Sequence, residues 1–80
     1  MEAQVPASAT AVHWAQKLWE DGHGVLPPEW EHDMEGNEVY FIAPGGETQW
    51  EDPRETLFIY TQHFAAAERR GLDLAQYFST

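Results

Sequence analysis

The chain has 80 residues, no cysteine and a formal net charge of −10, with fourteen acidic side chains set against Lys17, Arg54, Arg69 and Arg70. That length allows one small domain with a modest core. The missing thiols exclude a disulfide framework and a thiolate zinc site, and the charge argues against a phosphate backbone as ligand, because nucleic acid rewards clustered Lys and Arg.

Residues 1–9 carry no periodic pattern and include Pro6, which predicts a disordered start. Ser8 or Thr10 is positioned to cap a helix over 10–22, in which Val12, Ala15, Leu18 and Trp19 recur at helical spacing and Gly22 and Gly24 signal the stop. Trp14 and Trp19 point in different directions around this helix, so at least one requires a partner on another element. The proline pair makes 25–28 extended.

Three strands follow, over 29–34, 38–43 and 47–50, with turns at Glu35-Gly36-Asn37 and Pro44-Gly45-Gly46. Asp52 reads as a helix N-cap, with Pro53 at the first helical position and Glu55 in the first turn. The helix is expected to run to Arg70, with Leu57, Tyr60, Phe64 and Ala67 on one stripe and Gly71 as its stop. Leu72, Leu74, Tyr77 and Phe78 are expected to fold back on a short last helical turn capped by Asp73. The predicted class is α+β, a three-stranded antiparallel sheet flanked by an N-terminal and a C-terminal helix, with the sheet domain over 25–54 and the second helix and tail over 55–80.

A sheet this small has almost no interior, so each large ring either staples it or serves as recognition surface. Neighbours in a strand face opposite sides, so Tyr40 and Phe41 belong to different clusters. One cluster joins Trp30, Phe41 and Pro53 as a miniature core behind the middle strand. The other joins Tyr40 and Trp50 on adjacent strands with exposed rings.

Leu26-Pro27, Trp30, the doublet Tyr40-Phe41, Trp50 and Pro53 resemble, in type and order, the WW domain family. The resemblance implies a twisted three-stranded sheet that binds proline-rich peptides without catalysis or cofactor. Tyr40 and Trp50 would form a slot between parallel rings, Trp50 would donate its indole N–H to a ligand carbonyl, and Thr48 would add a hydroxyl. Trp30, Phe41, Pro53, Leu26 and Pro27 would hold the fold. A proline-rich segment suits such a slot because it is already extended and its tertiary amides offer carbonyls without N–H groups. Binding in the range of roughly micromolar to hundreds of micromolar is expected from a single shallow site.

Two departures bear on the ligand. Many family members carry Asn-His after the aromatic doublet, where this chain has Ile42-Ala43-Pro44, so selectivity for a proline-proline-x-tyrosine peptide loses its histidine and keeps only Ile42 as the apolar half of that pocket. Both hairpin connections also look a residue shorter than the family's. The first turn offers glutamate where a phosphate would need arginine, which disfavours phosphoserine-proline. Acidic residues at 29, 31, 33, 35, 38, 47, 51 and 52 favour a basic, proline-rich segment of another protein.

His13, His23, His32 and His63 are scattered without ligand spacing and read as surface histidines, and no catalytic or metal constellation stands out. No stretch approaches the roughly twenty apolar residues of a membrane span, and MEAQVPASAT lacks the basic start and apolar run of a signal peptide. The expectation is a soluble, intracellular, cytoplasmic monomer, the N-terminal piece of a longer protein, with neither nucleic acid nor membrane as partner.

A second reading starts from the flanking helices, which carry Trp14, Trp19, Phe58, Tyr60 and Phe64 and must bury something. If they cover the front of the sheet, Tyr40 and Trp50 become core and a composite helix and sheet surface binds a folded partner. The layout of a helix, an LPPEW start, a short glycine turn and a following helix is similar to helix-flanked WW regions of the centriolar type. That similarity implies a scaffold role at centrioles or basal bodies.

Overall fold

The computed structural model describes residues 6–22 and 24–79. Its elements are helix α1 (Ala9–Glu20), strands β1 (Glu31–Glu35), β2 (Glu38–Ile42) and β3 (Thr48–Gln49), helix α2 (Leu57–Arg69) and helix α3 (Leu74–Phe78). The strands form one antiparallel sheet in the order β1-β2-β3. The α+β class is therefore as expected, and the C-terminal helical region is two helices.

Residues 1–5 of the expected disordered start, together with His23, lie outside the described residues. The helix starts earlier than 10, because Ser8 is the cap: its hydroxyl oxygen accepts the Ala11 N–H at 3.0 Å. The same hydroxyl donates to Glu68 Oε1 at 2.6 Å and so ties the start of α1 to α2. The face expected to be buried is also shifted. Ala11 and Ala15 are fully buried, whereas Val12 is exposed. Small residues win the interface because they let two helix backbones approach closely, and Ala65 and Ala67 of α2 are buried in the same core.

The second helix begins four residues later than Asp52-Pro53 suggests. Asp52 instead closes a tight turn, with the Glu55 N–H donating to its carbonyl at 3.1 Å and the Arg54 N–H to its side chain at 2.8 Å. Thr56 then caps α2, its side chain accepting from the Ile59 N–H. The other end follows the expectation. Gly71 takes φ 97°, its N–H reaches the Glu68 carbonyl and the Leu72 N–H reaches that of Ala67, the paired bonds of a Schellman stop.

The three helices share a core of Ala11, Ala15, Tyr60, Phe64, Ala65, Ala67 and Leu74. Phe78 stacks on Phe64 at 5.6 Å and on Trp14 at 5.2 Å, and Trp19 meets Tyr60 at 5.7 Å, so both helix-one tryptophans find ring partners. Asp73 caps α3 as expected, and Leu74 is buried.

The sheet joins this helical core through the extended segment before β1. The Tyr60 hydroxyl donates to the Val25 carbonyl at 2.7 Å, and burial pushes its pKa up to about 12, so it stays protonated as a donor. Pro27, Pro28, Glu29 and Trp30 make a turn closed by the Trp30 N–H on the Pro27 carbonyl, with Glu29 at φ 70°. This is the pattern of a type II turn, whose third position favours glycine. Glutamate is held there from outside the turn. Its N–H donates to the Tyr77 hydroxyl at 3.2 Å, and Arg70 reaches its carboxylate at 3.2 Å.

Both hairpin turns form where glycine permits them. Gly36 and Asn37 link β1 to β2, with Gly36 at φ 63°, the two-residue connection that matches strand twist. The Gly46 N–H donates to the Ala43 carbonyl and the Ala43 N–H to that of Glu47, with Gly46 at φ 95°. All three strands end differently from their expected ranges: β1 starts at Glu31 because the turn at Glu29 occupies the preceding residues, β2 stops at Ile42, and β3 keeps only Thr48 and Gln49.

Candidate binding face of the sheet

Alternation along β2 sends Tyr40 and Ile42 to one side and Phe41 to the other. The register pairs Ile42 with Thr48 and Phe41 with Gln49, so the next step puts Trp50 opposite Tyr40. Tyr40, Ile42, Thr48 and Trp50 therefore share a face, as expected for the recognition cluster. Trp50 is 55% exposed, Thr48 is exposed, and Tyr40 and Ile42 are half-buried.

The ring geometry differs from the parallel slot expected. The Tyr40 and Trp50 centroids are 6.1 Å apart with their planes at 73°, an edge-to-face pair. The quadrupoles of two neighbouring rings favour this arrangement over a face-to-face sandwich. What is offered to solvent is an aromatic corner, one wall from each ring, flanked by the Thr48 hydroxyl and the Ile42 side chain. No helix closes it. The described ring neighbours of Trp14, Trp19 and Trp30 all lie on helices, while the ring partner of Trp50 is Tyr40. Trp50 is thus left exposed, while the helices build a core of their own that includes neither ring and leave Phe58 of α2 54% exposed.

Phe41, on the rear face, is 6% exposed; outside the strands Pro27, Pro28 and Pro53 are also buried and Leu26 is half-buried. The residue that completes this side is Arg54, which the sequence reading passed over. Its guanidinium lies 5.8 Å from the Phe41 ring centre, grips both Asp52 oxygens at 2.9 and 3.0 Å, and donates to the Gly24 carbonyl. The side-chain hydrogen bond from Arg54 holds the Asp52 carboxyl below the usual carboxylate range. The one sequence signal for this role is that arginine is scarce here, with four basic side chains in the chain.

Trp30 does not find its ring partner in the sheet. It meets His63 of α2 edge-on at 4.8 Å, a helix partner outside the expected cluster of Trp30, Phe41 and Pro53. His63 is accordingly half-buried and is not the surface histidine expected. Desolvation, with Arg70 nearby, depresses its pKa below 6.5.

A pH dependence follows from this depression. The unfolded chain takes up the His63 proton near pH 6.5 and the native state only lower, so the stability contributed by neutral His63 is present above that pH and is lost as pH falls toward the native value. Thermal melts across this window are expected to show a smaller acid-side decline in His63→Leu than in the parent. An unchanged decline would place the dependence on other groups.

His13 and His32 sit on separate elements, and among the described residues no three His, Asp or Glu side chains gather to hold a metal. Among the same residues no helix is long and apolar enough to cross a membrane. In comparison with known proteins, no family model, no curated protein and no solved structure matches the chain.

Proposed function

We propose that the chain is a WW-type interaction module, a non-catalytic intracellular adaptor that holds a basic, proline-rich segment of another protein on the Tyr40 and Trp50 corner. The observation that carries this reading is the edge-to-face pair of half-buried Tyr40 and exposed Trp50 on a sheet face that the helices leave open. A pyrrolidine ring packed against the two aromatic walls removes apolar surface of both partners from water. The Trp50 indole N–H and the Thr48 hydroxyl are donors for ligand carbonyls, which a proline-rich strand presents without competing N–H groups. Ile42 supplies apolar surface beside them. The helices then act as a support that orients the sheet through Val25, Glu29 and Trp30.

The test is a titration of the ¹⁵N-labelled chain with proline-rich peptides, some bearing tyrosine and some arginine, followed at the four indole N–H signals. The Trp50 signal and the amides around Tyr40 are expected to move while Trp14, Trp19 and Trp30 stay still. A Trp50 signal that is silent with every peptide overturns the proposal.

A further inference from the structure

The pairing register sorts charge as well as rings. Glu31 lies opposite Ile42, Asp33 opposite Tyr40 and Glu35 opposite Glu38. Residues directly opposite share a face, so Glu31, Asp33, Glu35 and Glu38 stand on the same side as Tyr40, Ile42, Thr48 and Trp50. The rear side of the same strands presents His32, Met34, Val39, Phe41 and Gln49. Every carboxylate within the three strands is therefore on the aromatic side.

These carboxylates are not neutralised within the chain. All four are exposed, and among the described residues none forms an ion pair: the two present join Arg54 to Asp52 and Arg70 to Glu29, outside the strands. Glu35 and Glu38 form a like-charge pair directly across the hairpin, an arrangement that destabilises a sheet. Asp33 uses Oδ1 to accept the Met34 N–H at 2.7 Å, which leaves Oδ2 open.

Resting on the proline reading, we infer that edge strand β1 reads an arginine or lysine set two or three residues from the proline seated on Tyr40 and Trp50. Asp33 pairs with Tyr40 across β1 and β2, and Trp50, one residue past the end of β3, meets the Tyr40 ring from the other side. Strands are about 4.8 Å apart, so β1 is about 7 Å from a proline centred between β2 and β3, and a polyproline segment rising about 3.1 Å per residue covers that in two to three steps. Glu31 flanks Asp33 one row along and opposite Ile42, ready for a second basic residue. The occupant is a basic, proline-containing peptide strand lying across the sheet.

The test scans a single arginine along an otherwise neutral proline-rich peptide, one to six residues from the proline and on either side of it, against the parent chain, Asp33→Asn and Glu31→Gln. Affinity is expected to peak at an offset of two or three. Asp33→Asn, whose amide oxygen still accepts the Met34 N–H, is expected to lower it about 1.5- to 5-fold for that peptide and not for its arginine-to-glutamine counterpart, the range for an exposed charge pair. Raising salt is expected to flatten the difference. A Trp50 shift with no offset preference, or an Asp33→Asn effect equal for both peptides, overturns the inference and leaves the proline site standing. No Trp50 shift with any peptide removes both. If Asp33→Asn does not fold, Glu31→Gln with a peptide carrying two arginines gives the same comparison.

Discussion

Trp50→Ala is expected to remove peptide binding from the measurable range while the protein stays folded. Truncating a central aromatic anchor typically costs 2 kcal/mol or more, about thirtyfold in Kd, and a site of roughly micromolar to hundreds of micromolar affinity does not survive that in a titration. The fold has less to lose. Trp50 is 55% exposed, and its described ring contact is the single edge-to-face pair with Tyr40. Such a pair is worth about 0.5–1.5 kcal/mol, a shift of several degrees in Tm for a chain this small. The two readouts are a peptide titration and a thermal melt of the same sample. Retained binding, or a chain unfolded at room temperature, would overturn the assignment of the two sheet faces.

Phe64→Ala is expected to do the opposite, unfolding the molecule without touching the proposed site. Phe64 is fully buried between Tyr60, at 4.8 Å, and Phe78, at 5.6 Å. A buried Phe→Ala costs about 3–5 kcal/mol, the lost transfer energy plus the cavity left behind. A chain of this length has about 4–12 kcal/mol in total, so most of the margin goes with one ring. The loss spreads to the sheet, because Tyr60 holds the Val25 carbonyl and His63 holds Trp30. The expected result is a large fall in helical circular dichroism at 37 °C together with broadened Tyr40 and Trp50 signals. A helical core that melts while the sheet signals stay sharp would mean that the sheet folds independently. Phe64→Leu, which refills most of the volume, is expected to recover much of the loss.

The two substitutions separate what the chain uses for folding from what it offers to a partner, and that division was partly legible in the sequence. The hairpins were legible because their turns are local chemistry. Gly36 and Gly46 adopt the positive φ that a side chain resists, and the strands they join follow. The allocation of Tyr40 and Phe41 to opposite faces follows from the two-residue period alone, as does the placement of Thr48 and Trp50 with Tyr40 once the strands pair. Ser8, Asp73 and Gly71 also act where their side chains, or the lack of one, direct.

Other features needed contacts between distant segments. Asp52 followed by proline is a sound helix start, yet Arg54 occupies both carboxylate oxygens and the helix waits for Thr56. Val12 is the more apolar residue, yet Ala11 and Ala15 face α2, because close approach of two helices rewards small side chains. Trp30 turned to His63, and Glu29 accepts an unfavourable φ because Tyr77 and Arg70 hold it from the far end of the chain. Whether the ring pair would be core or surface depended on where the helices packed, and the core they form together includes neither ring. Turn positions, strand alternation, caps and the acidic balance were determined by the sequence itself, since each rests on one residue and its neighbours. The packing of Trp30 on a helix, the grip of Arg54 and the open Tyr40 and Trp50 corner were decided only by tertiary structure, since each depends on which of several competing surfaces packs most closely.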